Sequence, residues 1–413
     1  MGTMYNEKTE KLFNKNSILL LSGTFLSKFG DILYSVAIGY YVLHLTGSTA
    51  LMGVFASISM FVTMFIGPFS GTVVDRIKRK WILCGTDLLR GGLMLVVGWM
   101  SVSNLLSTPA LFILSVLVAL SSVFFQPAST TTLLDVVPEG EYIRASSINA
   151  TFFGMVDLVS KSLSGFLLAY FGIGQLIIYN GAIFIIAAVA MYFIAIPQTP
   201  KQGSGISVKG ILNDFVDGFK ALVKTKGLNT FFGFAILINL FSAGYLSLFL
   251  LITEEKGFSL NEYGFLMLMI SLGGFLGALP TSLMKLKGKT RFALLSIGLI
   301  GGAILMMIGL ASHNSMIVGI CFLVGNFLNM IGNTIMSATL MILMPNDKRA
   351  TILGFLNASS MGGYAISTLL YGFIAGFVSI SLISIIGTLI STILTVIMVM
   401  DKAIVNSFAD KEV

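Results

Sequence analysis

Between two apolar runs at roughly 51–74 and 81–101, the chain places Asp75, Arg76, Lys78, Arg79 and Lys80 in six residues. A helix needs about 20 predominantly apolar residues to cross a bilayer, so each run is long enough. The charged stretch between them cannot sit in hydrocarbon and must be a short loop at the membrane surface. The same alternation runs through the whole chain. We count twelve such spans, at roughly 17–43, 51–74, 81–101, 109–135, 146–171, 175–196, 228–253, 262–284, 291–311, 315–343, 351–377 and 379–400. Only 10% of the residues are charged and 56% are hydrophobic, against about 25% charged in soluble domains. The expected fold class is therefore an all-α integral membrane protein with twelve transmembrane helices.

The basic residues orient the spans. With the N-terminus in the cytoplasm, outer loops hold only Lys256, and only Lys28, Arg90 and Lys161 fall within spans. This asymmetry predicts that both termini are inside. The apolar run after the polar N-terminal residues is too long for a signal peptide and reads as a retained first helix. The one long polar connection, 197–227, opens with P-Q-T-P-K-Q-G-S-G. It continues as an amphipathic pattern with Ile211, Leu212, Phe215, Phe219, Leu222 and Val223 near one face, expected to lie on the cytoplasmic surface. It separates six spans in 1–196 from six in 228–413.

An internal repeat supports that division. Asn149-Ala150 with Gly154 recurs as Asn357-Ala358 with Gly362, and at the same offset Asp31 maps onto Asn239. Pro138 through Arg144-Ala145 is echoed by Pro345 through Arg349-Ala350. The expectation is two pseudo-symmetric six-helix halves.

Several function classes drop out. Cys84 and Cys321 lie in different halves, and His44 and His313 near different outer loops, so neither a disulfide framework nor a metal-ligand spacing is present. No cofactor or metal is expected. No G-x-x-x-x-G-K-[ST] loop is present, so ATP is not the direct energy source, and no hydrolase constellation marks an enzyme. The net charge of +7 lies in loops on one side of the membrane, which points to the bilayer and not to nucleic acid.

The pattern G-x-x-x-D-R-x-x-R-K, carried by Gly71, Asp75, Arg76, Arg79 and Lys80, resembles the loop between helices 2 and 3 of the major facilitator superfamily. Lys78 stands where that family usually has Gly. Gly67 and Gly71, four apart, share a helix face on which another helix can approach closely. Four further stretches are similar to the drug:proton antiporter branch that contains macrolide efflux pumps and enterobactin exporters. They are Gly30-Asp31, Leu45-Thr46-Gly47-Ser48, Asp87-Leu88-Leu89-Arg90 and Phe125-Gln126-Pro127-Ala128. The arginine that many antiporters carry on span four is absent.

The resemblance implies a monomeric multi-pass transporter of the bacterial plasma membrane. It would export bulky amphipathic or drug-like molecules in exchange for protons. Export of a metallophore or siderophore, movement of a lysophospholipid, and a non-transporting sensor or scaffold remain open alternatives. It also implies gating roles for Gly71, Asp75, Arg76, Arg79 and Asp135, with Asp135 accepting Arg76 or Arg79.

Charges near a helix centre cost about 2.5–3.5 kcal/mol each on insertion scales. They persist where they are paired or face water. Lys28 and Asp31 lie mid-way along span one, and Asp157 and Lys161 mid-way along span five. Counted at 1.5 Å per residue, the matched positions differ in depth by about 2 Å or less. The two spans are neighbours in the superfamily fold, so a cross-paired cluster is expected, Lys28 with Asp157 and Asp31 with Lys161. It is either a structural ion network or the site where a carboxylate, Asp31 foremost, exchanges a proton. Asp87 and Arg90, three apart, can pair, and either join the Asp75 loop or anchor span three at the interface.

In the second half, Asn326, Asn329 and Asn333 form one stripe on span ten, and span seven offers Asn239, Phe241 and Tyr245. By resemblance spans one, four, seven and ten line the cavity. The stripe implies a polar path, because amides facing lipid would go unsatisfied.

Overall fold

The computed structural model describes residues 12–103, 105–196, 216, 219, 220, 222, 223, 228–283, 288–344 and 349–401. Among them every regular element is helical. Hydrocarbon offers no water to backbone amides, so each span satisfies them along its own axis. The first six spans are α1 (Lys15–Thr46), α2 (Thr49–Arg76), α3 (Arg79–Val102), α4 (Thr108–Asp135), α5 (Tyr142–Phe171) and α6 (Ile173–Tyr192). Span seven comprises α7 (Leu228–Ser242), α8 (Gly244–Ser247) and α9 (Phe249–Glu255). Span eight is α10 (Leu260–Leu283). Span nine is α11 (Gly288–Ser296) and α12 (Gly302–Ala311), joined by a π-helical turn, Ile297–Gly301. Then follow α13 (Ser315–Leu343), α14 (Arg349–Ile374) and α15 (Ile380–Met400).

Among the described residues, ten helices are long and apolar enough to cross a membrane. The 32-residue α1 and the 26-residue α14 complete the twelve. They are less apolar because α1 carries Lys28 and Asp31, and α14 carries Asn357, Ser359 and Ser360.

The chain divides into two compact units. The first is Met1–Tyr41 with Phe65–Ser207, and the second is Val42–Met64 with Val208–Val413. In the first, α3 and α6 meet backbone to backbone. A β-carbon on Gly91 would stand 3.0 Å from the Gly181 carbonyl oxygen, and one on Gly181 equally close to that of Gly91. Small residues permit this approach where lipid supplies no competing hydrophobic drive. One end of the unit closes over Leu83, Phe125, Ala128, Leu133 and Met191.

The second unit takes in the end of α1 and the beginning of α2. Their tight connection uses Gly47 at φ 62°, and Ser48 Oγ accepts the Leu51 N–H at 3.2 Å to cap α2. Gly53 of α2 lies against Gly372 of α14, where an added β-carbon would be 3.0 Å from the Gly372 Cα.

Span seven is broken twice, and α14 takes up backbone groups at the first break. Ser367 Oγ accepts the Gly244 N–H at 2.8 Å, and the Tyr371 hydroxyl donates to the Phe241 carbonyl at 2.5 Å. Neighbouring side chains of this kind are what make an interrupted helix tolerable at membrane depth.

After α6, Phe193–Ile196 are not helical, whereas the described residues within 197–227 are. Phe219 packs on Phe355 with ring centroids 5.5 Å apart, and Leu222 is buried with Phe232, Met344 and Ile352. Ile211, Leu212 and Phe215 of the expected amphipathic face lie outside the described residues.

Candidate functional site: a shared guanidinium in the first unit

Four helices converge on Arg90. From α3, its Nη1 donates to both oxygens of Asp31 on α1, at 2.8 and 2.9 Å, and to Ser122 Oγ on α4 at 3.2 Å. Its Nη2 donates to Asp87 Oδ1, one turn back, at 2.5 Å. The other Asp87 oxygen accepts the Ser27 hydroxyl at 2.6 Å. Phe125 from α4 and Phe184 from α6 place their ring centroids 4.7 Å from the guanidinium carbon. Behind Asp31, Asn180 Nδ2 donates to the Gly30 carbonyl at 3.0 Å and ties α6 to α1. Only arginine offers a planar fork that can hold two carboxylates while its faces rest on aromatic rings.

The three ions differ in access. The side chains of Arg90 and Asp87 are fully buried, whereas Asp31 is 29% exposed. Asp31 is thus the member of the triad that is not fully buried in the protein. With both carboxylates ionised, the site holds one negative charge in excess.

This arrangement corrects the expected cross-pairing. Among the described residues neither Lys28–Asp157 nor Asp31–Lys161 forms. Asp31 turns to Arg90, and Lys161 pairs with Asp157 of its own helix at 2.8 Å, both side chains 38% exposed. It also corrects the placement of Asp87 and Arg90, which neither join the Asp75 loop nor anchor span three at the interface. Arg90 lies about 17 Å along α3 from Arg79, roughly half the thickness of the hydrocarbon core, and that count was available from the sequence.

At the basic loop, Arg79 pairs with Asp135 at the end of α4 and stands 3.3 Å from Asp75. The link expected between Asp135 and a loop arginine is thus made by Arg79. Lys78 has φ −59° and ψ 113°, an extended conformation open to any residue, so the turn needs no glycine there. Among the described residues no close approach forms at Gly71, which is exposed and where a β-carbon would meet nothing within 4 Å.

In the second unit, the asparagine stripe bonds within its own helix. Asn326 Nδ2 donates to the Phe322 carbonyl at 2.9 Å. Asn333 Nδ2 donates to the Asn329 carbonyl at 3.0 Å and to Asn329 Oδ1 at 2.6 Å. These bonds occupy part of the amides' hydrogen-bonding capacity within the helix itself. Tyr245 is 3% exposed and its hydroxyl donates to Met306 Sδ at 3.3 Å, so it belongs to the unit's core and does not line a cavity. Asn239 and Phe241 are half-buried.

A helical membrane bundle with an ion triad built across four of its spans defines a polytopic transporter-type protein. Residues 20–368 match the Major Facilitator Superfamily, and the chain belongs to that family of transporters. It is 27% identical over 293 residues to the putative bacilysin exporter BacE of Bacillus amyloliquefaciens, covering 70% of this chain and 72% of that one. It is 25% identical over 224 residues to macrolide efflux protein A of Streptococcus pyogenes, covering 52% of each. The crystal structure of the nucleoside transporter NupG shares the fold, with a TM-score of 0.70 at 17% identity over 94% of this chain and 98% of that one.

Proposed function

We propose that this transporter exports bulky amphipathic or drug-like molecules by alternating access, in exchange for protons. It would do so as a monomer in a bacterial plasma membrane with both termini cytoplasmic. Residues 1–196 and 228–413 form the two halves that rock about a midplane site, with 197–227 as their cytoplasmic linker. The efflux relatives support the substrate class and the direction.

The proton coupling rests on one observation: Asp31 and Asp87 share Arg90, and only Asp31 is partly uncovered by the protein. A proton on Asp31 leaves a neutral Arg90–Asp87 pair and frees Asp31 from the guanidinium. Loss of that proton restores the contact from Arg90 Nη1 to both Asp31 oxygens that draws α1 to α3. Proton binding and helix position are thereby linked. Arg79, held by Asp75 and Asp135, serves as the gating latch, with Gly71 and Arg76 in the same loop. Asn239, Phe241, Asn326, Asn329 and Asn333 supply amide and aromatic contacts to the substrate. Export of a metallophore or movement of a lysophospholipid would use the same coupling group, and a competition panel separates them from drug export.

The test is substrate-dependent proton flux in proteoliposomes, with a pH-sensitive dye inside and macrolides, dyes and siderophores outside. Wild type is expected to move protons only with a transported compound, and Asp31→Asn to lose that movement. Compound movement without proton movement, or full coupling in Asp31→Asn, would overturn the antiport reading. A chain that binds ligand but moves neither compound nor proton would be a sensor.

A further inference from the structure

One short stretch of α6 docks on the backbone beside both Asp31 and Arg90. From Leu176 to Met191 the side chains of α6 are apolar except for Tyr179 and Asn180. Asn180 lies about 11 Å along the helix from Ile173 and about 18 Å from Tyr192. It is only 1% exposed. Its Nδ2 donates to the Gly30 carbonyl at 3.0 Å, while its Oδ1 has no hydrogen-bond partner among the described residues. A buried amide with an idle acceptor costs stability that an alanine in its place would not. Helix packing alone therefore does not account for it.

Its neighbours show what the amide holds. Gly30 immediately precedes Asp31. A β-carbon on Gly30 would stand 2.8 Å from Asn180 Oδ1 and 2.9 Å from the Phe184 ring, so α1 and α6 are in close contact here. Gly181 follows Asn180 and meets Gly91, which follows Arg90: a β-carbon on Gly181 would stand 3.0 Å from the Gly91 carbonyl oxygen. Phe184, one turn from Asn180 on the same face, rests its ring 4.7 Å from the Arg90 guanidinium carbon. Consecutive residues of α6 thus dock beside the two ions, Asn180 beside Asp31 and Gly181 beside Arg90. The Gly91 contact is steric. The Gly30 contact adds a hydrogen bond, which fixes direction as well as distance. Arg90 Nη1 reaches the two Asp31 oxygens at 2.8 and 2.9 Å. Moving α1 by about 1 Å away from α3 would take both beyond hydrogen-bond range.

We propose that Asn180 is a positioning residue for Asp31: through the Gly30 carbonyl it holds α1 where the ionised carboxylate meets Arg90, and so sets how tightly proton exchange is coupled to transport. This rests on the proton-exchange reading above and adds to it a residue that carries no charge and takes no proton.

The test is a double-mutant cycle on the purified full chain, read as the midpoint of unfolding by denaturing detergent. Asp31→Asn is expected to lower the midpoint in wild type. At least half of that shift is expected to disappear in Asn180→Leu, which keeps the volume and removes the donor. Asn180→Ala is expected to give the same loss and stands in should the leucine variant not fold. An amide that only fills space would leave the Asp31→Asn shift unchanged. In proteoliposomes with a pH-sensitive dye inside and a macrolide outside, Asn180→Leu is expected to move at least twofold fewer protons per compound molecule. That ratio does not depend on the fraction of folded protein. An Asp31→Asn shift of equal size in every background, no shift in any, or an unchanged proton ratio would overturn the proposal. Wild type that moves compound without protons, with the shift still lost in Asn180→Leu, would refute proton exchange and leave Asn180 as the residue that positions the ion pair.

Discussion

Replacing Arg90 by methionine isolates what the shared guanidinium does for the fold. Methionine fills much of the same volume between Phe125 and Phe184 but leaves Asp87 with no counter-ion. The Asp87 side chain is fully buried and keeps only the Ser27 hydrogen bond. Removing one partner of a buried ion pair costs about 3–5 kcal/mol, because the charge left behind is neither solvated nor neutralised. Unfolding of Arg90→Met by denaturing detergent in mixed micelles, followed by far-UV circular dichroism, should show a loss of that size. Asp87→Asn in the same background should recover most of it, since the amide oxygen still accepts from Ser27 and carries no charge. Asp31→Asn alone should lose less, on the order of 1 kcal/mol, because Arg90 keeps Asp87 and Asp31 is partly uncovered. An Arg90→Met protein as stable as wild type would refute the electrostatic account. If the double variant were no more stable than Arg90→Met, the loss would lie in packing against the two rings.

Two further outcomes follow from local geometry. Gly91→Ala should destabilise by about 1–3 kcal/mol in the same unfolding assay, because its β-carbon would stand 3.0 Å from the Gly181 carbonyl oxygen. Gly92→Ala is the control: it is exposed, meets nothing within 4 Å, and should be neutral or slightly stabilising through helix propensity. Glu255 caps α15 by accepting the Ser379 hydroxyl at 2.8 Å and the backbone N–H groups of Ile380 and Ser381 at 2.7 and 3.3 Å. Burial pushes its carboxyl up, but hydrogen bonds from these residues outweigh burial and hold it below the usual carboxylate range. Its contribution is therefore complete above the unfolded value of about 4.3 and lost as pH falls through the lower folded value. Melting temperature should drop over that window in wild type, and the drop should be smaller in Glu255→Gln.

The spans were legible because their signal is long and one-dimensional: a membrane-length apolar run bounded by charge needs no knowledge of neighbours. The Arg79–Asp135 link was legible for a similar reason, since both groups lie at span ends on the same side. Interruptions were not. The break in span seven follows apolar residues on both sides, and what makes it possible is Ser367 and Tyr371 on a helix more than a hundred residues away. The shared face of the asparagine stripe was legible from spacing, but not that the helix's own carbonyls take up the Asn326 and Asn333 amide donors.

The mid-membrane charges show where depth stops being enough. The superfamily resemblance set spans one and five side by side, and the Phe25–Phe152 contact records it. Direction around the helix bears on the pairs as well. At about 100° per residue, Lys28 and Asp31 point about 60° apart around α1. Asp31 meets the arginine of α3, and Lys28 has no ion-pair partner among the described residues. Asp157 and Lys161, four apart, diverge by only about 40° and close on each other within α5. Spacing alone does not decide the outcome, since Asp87 and Arg90, also three apart, pair within α3; the partner offered by the neighbouring helix decides whether a charge stays on its own helix.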